Sequence, residues 1–315
     1  MRKLSGLALA LTVTAALLGG CGAGGGAPDG GRRTAAAHTS HSATATAPRS
    51  GSPSAPPSAS AAPSAAARPP ARPWNTRPGS VAAIGDSITR GFDACHPLSD
   101  CPDVSWATGG RQQVDSVSAR LGAARSWNLA QSGAHAADLP AQARAAAAHH
   151  PAMVTVLIGA NDACAADTGT MTSVAAFRAS VAATLAYLHR ALPATQVLVA
   201  SIPDLERLWS VGRSNLLGRE VWKLGLCPTM LDDPTSDSAA ATQRRTAVRT
   251  RVQAYNTVLG QVCATYRRCR YDGGAVFAYR FGTGDLSTWD WFHPNQQGQS
   301  QLARIMAAVA SRPPS

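Results

Sequence analysis

The sequence predicts a three-layer α/β/α fold, a doubly wound and mainly parallel sheet, over residues 76–315. Two observations predict it. Short apolar runs alternate with longer Ala-rich segments, the order that winds a sheet with helices on both faces. The runs are also continuous rather than alternating apolar and polar, as strands covered on both sides require.

The first run, Ser80, Val81, Ala82, Ala83 and Ile84, stops at Gly85 and reads as a buried strand. Similar runs lie at 126–130, 153–158 and 196–202, with a weaker one at 275–277. Helix-like segments fall between and after them at 112–124, 139–149, 174–192, 242–266 and 296–310. Ligands of such sheets bind beyond the carboxyl ends of the strands. Ser87, Gly133 and Asn161 each stand just past a predicted strand and are expected on that rim.

Those three residues belong to four short stretches: Gly85-Asp86-Ser87, Gly133, Gly159-Ala160-Asn161-Asp162, and Asp290-Trp291-Phe292-His293-Pro294-Asn295. Together they supply the parts of an acyl-transfer site: a nucleophilic hydroxyl, a base, and donors for the developing oxyanion. Ser87 is the expected nucleophile and His293 the base. Asp290, two residues from His293 in the intervening count, is placed to bond the other imidazole nitrogen and fix its tautomer. The backbone N–H groups of Ser87 and Gly133 and the side-chain amide of Asn161 are the expected oxyanion donors. Glycine at 133 lets the backbone approach substrate without an intervening Cβ.

From about Ser80 to the end, the chain resembles the SGNH (GDSL) hydrolase superfamily. Ser87 stands in the GDS block, Gly133 within Gln131-Ser132-Gly133, Asn161 in the GxND block, and Asp290 with His293 in the DxxH block. One departure is Ile88, where the name-giving motif has Leu. The resemblance implies a flavodoxin-like sheet and serine-dependent hydrolysis of carboxylic esters, of lipase or esterase type, through an acyl-enzyme. A carbohydrate acetylesterase of the same fold and a non-catalytic cell-surface binding module are the alternatives; intact Ser87, Asn161, Asp290 and His293 weigh against the second. The substrate is expected to be a lipid or small acyl ester. Nothing in this chemistry calls for a metal or an organic cofactor.

The formal charge of +11 suggests an anionic partner until it is divided along the chain. Residues 1–75 hold seven basic side chains (Arg2, Lys3, Arg32, Arg33, Arg49, Arg68, Arg72) and one acid, Asp29, of the 29 and 18 in the whole. The remaining 22 basic and 17 acidic residues are scattered, without basic runs interleaved with aromatics. No nucleic-acid partner is expected.

Residues 1–21 read as an export signal: Arg2-Lys3, an apolar stretch from Leu4 to Leu18, then Leu18-Gly19-Gly20-Cys21. The tetrapeptide resembles a bacterial lipobox, which implies lipidation of Cys21 and a membrane anchor on the extracellular face; secretion after ordinary cleavage is the alternative. Residues 22–75, rich in Ala, Ser, Thr, Pro and Gly, carry almost no large apolar residue and read as a disordered spacer. The remaining chain, roughly 240 residues, is enough for one domain with a substantial core, and a monomer is expected.

Six cysteines besides Cys21 fit an exported protein: Cys95, Cys101, Cys164, Cys227, Cys263 and Cys269. Six allow fifteen pairings. Proximity along the chain favours Cys95 with Cys101 and Cys263 with Cys269, leaving Cys164 with Cys227, and the resemblance to secreted relatives implies the same. No cluster has the spacing of zinc ligands. A Cys164 to Cys227 bridge would hold residues 205–240, with their Leu and Trp pairs, beside the rim, as a lid or acyl-binding wall or as an insertion packed into the core. Trp289 and Trp291 flank Asp290 and are expected to line the pocket or to pack the catalytic loop. Asp86 and Asp162 are expected to bond local backbone N–H groups, His149 and His150 to cap a helix end, and His135 to be a rim residue rather than a rival base.

Overall fold

Val81, Ala82, Ala83 and Ile84 expose no surface, which requires a strand with both faces covered. In the computed structural model, which describes residues 73–313, they form β1 (Ser80–Gly85). It lies inside a five-stranded sheet with β2 (Arg125–Asn128), β3 (Met153–Leu157), β4 (Gln196–Val199) and β5 (Cys269–Tyr271), in the order β2-β1-β3-β4-β5 and parallel throughout. Residues 1–21, expected to be an export signal ending at Cys21, and residues 22–72 of the expected spacer lie outside the described residues.

The chain leaves β1 toward β2, then returns to the other side of β1 to lay down β3, β4 and β5. That reversal opens a crevice between the carboxyl ends of β1 and β3. The ladder between them pairs Val81 with Met153 and Gly85 with Leu157. At the last pair a Cβ on residue 85 would sit 2.0 Å from the Leu157 carbonyl oxygen, so only glycine allows the two strand ends to close together.

A very short helix, α1 (Ser87–Arg90), follows β1 at the rim, and another, α2 (Val117–Arg120), precedes β2. On one side α3 (Leu139–Ala147) packs on α5 (Val174–Ala191), with the single turn α4 (Ala160–Ala163) between them in the chain. An insertion then carries α6 (Leu205–Gly212), α7 (Leu216–Trp222) and α8 (Pro228–Leu231). The long α9 (Ala239–Ala264) lies against α5, and α10 (Ala275–Ala278) leads to α11 (Gln296–Ala310), which packs with α2 and α10 in the other layer. Three layers result, as expected. Among the described residues no helix is long and apolar enough to cross a membrane.

The elements differ from expectation at three places. The fifth strand is Cys269–Tyr271, not 275–277. Asp272 accepts hydrogen bonds from the N–H groups of Gly274 and Val276, and that cap starts α10 where a strand was expected. The helix expected at 112–124 is reduced to four residues: Asp115 adopts φ +49°, Ser116 caps the first turn, and Gly122 at φ +67° follows the end. The helix expected from 242 begins at Ala239, where Ser238 accepts from the Ala241 N–H.

The cysteines pair as Cys95–Cys101, Cys164–Cys227 and Cys263–Cys269, the pairing that proximity favoured. Trp74 donates its indole N–H to the Ala310 carbonyl at 2.8 Å, Arg270 stacks over its ring, and Asn75 bonds Gln196 at the start of β4.

Candidate active site

Asp86 positions Ser87. Its carboxylate accepts from the Ile88 N–H at 3.0 Å, capping α1 so that Ser87 is the first helical residue above the end of β1. From the helix layer, the Gln142 amide brackets Gly85, accepting from its N–H at 2.7 Å and donating to its carbonyl at 3.0 Å. From the other layer, Gln299 donates to the Ile88 carbonyl at 2.8 Å and accepts from the Trp106 N–H at 2.8 Å. Both glutamines are buried; Gln142 is a lone amide among alanines and Gln299 one of four glutamines opening α11, so neither stands out in the sequence.

The Asp290 to His293 loop enters from the start of α11, where Asn295 caps the helix through the N–H groups of Gln297 and Gly298. Asp290 Oδ1 accepts from the backbone N–H groups of Phe292 and His293, both at 2.9 Å, which folds the loop into a tight turn. Its Oδ2 then meets His293 Nδ1, and His293 Nε2 lies 2.9 Å from Ser87 Oγ. The expected hydroxyl, imidazole and carboxylate are therefore in line.

The other two strand ends carry Gly133 and Asn161, the expected donors. Gly133 has φ +82°, a conformation that disfavours any side chain, although a Cβ there would meet no atom within 4 Å; conformation rather than crowding sets this glycine. Asn161 donates one amide N–H to the Ala134 carbonyl at 2.9 Å, which leaves its second for the crevice. Asp162 accepts from the Ala136 N–H at 2.9 Å, a partner 26 residues away rather than the local backbone expected. These two bonds clip the loop after β2 to the turn after β3, and Gly133 and Asn161 both line the cavity that opens on Ser87.

Electrostatics separate the roles. Burial alone would lower the pKa of His293, but the Asp290 carboxylate, with Asp93 and Asp86 behind it, outweighs burial and raises it above the ordinary 6.5. Burial pushes Asp290 up, and His293 with the two turn N–H groups pulls it below the usual carboxylate range. Burial raises Asp86 to about 7 against the Ile88 N–H, and burial followed by the Asp290 charge raises Asp93 to about 6. Asp93, at 2 % exposure, went unnoticed in the sequence because an aspartate after a glycine turn carries no distinguishing pattern. Asp93, Asp290 and His293 are near enough for a shared cation, but both ring nitrogens of His293 are already engaged, so the set does not fit a metal.

A cavity of about 210 Å³ opens on Ser87. Its walls are Ile88, Phe92, Leu205, Leu208, Leu226, Phe292 and the Cys164–Cys227 bridge, an apolar lining against the polar Ser87, Ser132, Asn161 and His293. Segment 205–240 thus splits in function: Leu205, Leu208 and Leu226 form wall, whereas Trp222, Met230 and Leu231 are buried in the core and Leu216, Leu217 and Leu224 are exposed. Neither Trp289 nor Trp291 lines the cavity; Trp289 is exposed and Trp291 packs on Gly218, leaving Phe92 and Phe292 as the aromatic walls. His149 stacks on Trp127 with ring centroids 4.7 Å apart rather than capping its helix, and His135 is exposed with its backbone N–H bonded to Asp138.

A parallel α/β sheet presenting these groups at its switch point has the architecture of a hydrolase. The model of the family described as GDSL-like lipase/acylhydrolase matches residues 81–306, and the chain belongs to that family, whose members hydrolyse esters. No curated protein matches. Among solved structures, a catalytic mutant of Axe2, an acetylxylan esterase from Geobacillus stearothermophilus, is 18% identical with a TM-score of 0.45, covering 73% of this chain and 93% of its own. The acetyl xylan esterase AlAXEase is 16% identical with a TM-score of 0.46, covering 73% and 98%. LAE5, an alpha/beta hydrolase enzyme from the metagenome of Lake Arreo, Spain, is 19% identical with a TM-score of 0.45, covering 74% and 96%.

Proposed function

We propose that the protein is a serine carboxylesterase of lipase type, acting on esters whose acyl chain enters the cavity walled by Leu205, Leu208 and Leu226. The observation that carries this reading is the line from Ser87 Oγ through His293 to Asp290 at the mouth of that apolar cavity. His293 Nε2 takes the Ser87 proton as Oγ bonds to the ester carbonyl carbon. The carbonyl oxygen gains negative charge, which the N–H groups of Ser87 and Gly133 and the Asn161 amide stabilise. The imidazolium then protonates the departing alcohol and leaves an acyl group on Ser87. Water, deprotonated by His293, attacks the acyl carbon and the acid departs, restoring the hydroxyl.

The three disulfides fit an exported protein. In this reading the enzyme works outside the cell as a monomer, held to the membrane by a lipid on Cys21.

Hydrolysis of p-nitrophenyl esters with acyl chains of increasing length, by the unaltered protein and by Ser87→Ala, tests the proposal. The expected result is a preference for chains longer than acetate, abolished in the variant. Turnover confined to acetate would shift the reading to an acetylesterase, and turnover that survives Ser87→Ala would overturn it.

A further inference from the structure

Behind the line of Ser87, His293 and Asp290 lies a further carboxyl that the reaction above does not use. A carboxyl oxygen of Asp93, one of Asp290 and a ring nitrogen of His293 all fall within 4.8 Å of one another. Asp93 cannot turn away from this cluster. Its N–H donates to the Ser99 carbonyl at 3.0 Å, its own carbonyl accepts from Ser287 Oγ at 2.7 Å, and its Oδ1 accepts from the Leu98 N–H. It also stands at φ +56°, a conformation few residues adopt and one in which Asp and Asn are enriched. A buried carboxyl is thus fixed, in an uncommon backbone state, against the catalytic acid and base.

We propose that Asp93 is a positioning residue acting through His293: its carboxylate is the second negative charge, behind Asp290, that stabilises the imidazolium formed when Ser87 gives up its proton. The inference rests on the reading of Ser87 and His293 as nucleophile and base. Its physical basis is a difference between states. While the imidazole is neutral, Asp290 opposes ionisation of Asp93, by its charge and by a hydrogen bond between the two carboxyls that needs a proton on one of them; once the imidazole is protonated, both carboxylates are attracted to it. An interaction that turns favourable as the reaction proceeds lowers the barrier.

The surroundings agree in direction. Burial, then the Asp290 charge and the hydrogen bond to Asp290, raise Asp93 to about 6, and His293 is raised above its ordinary 6.5, so Asp93 can be ionised when His293 takes up a proton. The titratable groups facing Asp93 are Asp290 and His293; those facing His293 are Asp290, Asp93 and Asp86. Arg90, on the neighbouring α1, is turned to Asp100 and the Asn128 carbonyl and does not neutralise the cluster.

Asp93→Asn tests this. Asn tolerates φ +56° and keeps an oxygen for the Leu98 N–H while removing the charge. With one of its negative neighbours gone, His293 loses its proton at lower pH. The acid limb of kcat/KM for a p-nitrophenyl ester is expected to move down by about 0.5 pH unit or more, with the plateau of kcat lowered about three- to tenfold and KM little changed. A smaller shift, or one to higher pH, overturns the proposal. The His293 ring titration, followed by NMR in both proteins without substrate, must show the same downward displacement. Because that measurement needs no turnover, hydrolysis persisting in Ser87→Ala would sink the esterase reading while the titration still judged Asp93. If Asp93→Asn does not fold, the carboxyl carbon of Asp93 in the unaltered protein decides: ionised at pH 8 it supports the proposal, still protonated there it overturns it.

Discussion

The indole N–H of Trp222 donates to the backbone carbonyl of Asp290 at 2.7 Å. The insertion that walls the cavity therefore also holds the loop that carries the acid and base. Trp222 is 1 % exposed, and its ring fits against Gly212, so the contact is packed as well as bonded.

Trp222→Phe keeps most of the bulk and removes the donor. Leaving the Asp290 carbonyl without this partner costs about 1–3 kcal/mol of stability, so the melting temperature should fall, and the loosened loop should lower kcat with KM little changed. Steady-state kinetics with a thermal melt check this; an unchanged kcat would show that the loop is held by its own turn alone.

Asn161→Ala removes the proposed oxyanion donor and the clip to Ala134 together. The barrier should rise by about 2.7–4 kcal/mol, or roughly 10²–10³ in kcat. The readout is kcat against KM on a short ester, where the loss should fall on kcat.

The pH dependence follows from two raised groups. His293 works as a base only when neutral, and its raised pKa places the acid limb of kcat/KM above pH 6.5. Asp86 bears on stability instead. Its folded pKa, raised by burial to about 7, lies above the ordinary 3.8, so the fold favours the protonated form. Stability from this group is fully present below 3.8 and is lost as pH rises toward about 7. Asp86→Asn, which can still cap Ile88, should therefore melt higher than the unaltered protein at pH 8, by about 2–4 °C for each kcal/mol recovered, with the gap closing by pH 4. Melts across that range measure it.

Replacing Cys164 and Cys227 by Ala opens a loop spanning 63 residues and removes part of the cavity wall. The chain-entropy model assigns that bridge about 4 kcal/mol, or a fall of roughly 8–16 °C in melting temperature. KM for longer acyl esters should rise more than KM for acetate, which a chain-length series on the double variant would reveal.

The convergence of the candidate residues was legible because each sits in a short motif, at a strand end for Ser87, Gly133 and Asn161 and before a helix for Asp290 and His293. Ser87, Gly133, Asn161, Asp290 and His293 all come together as the motifs imply. What escaped notice depends on contacts distant in sequence. Cys269–Tyr271 is an edge strand, only half covered, and needs no apolar run; Arg270 in its middle reaches the carbonyls at the end of α11. Gln142 and Gln299 reach their backbone partners from separate helices, at separations of 57 and 211 residues. Asp93 acquires its setting only when the turn after α1 folds against Ser287 and the catalytic loop.

The absence of a side chain at Gly85 bears on all of this. Where Leu157 and residue 85 meet, there is no room for a single methyl group. Even alanine there would act as a wedge, prising the strand that leads to Ser87 away from the one that leads to Asn161. Ser87 and Asn161 would be separated without any polar group being altered, so the reach between them is gauged by an empty space in the sheet.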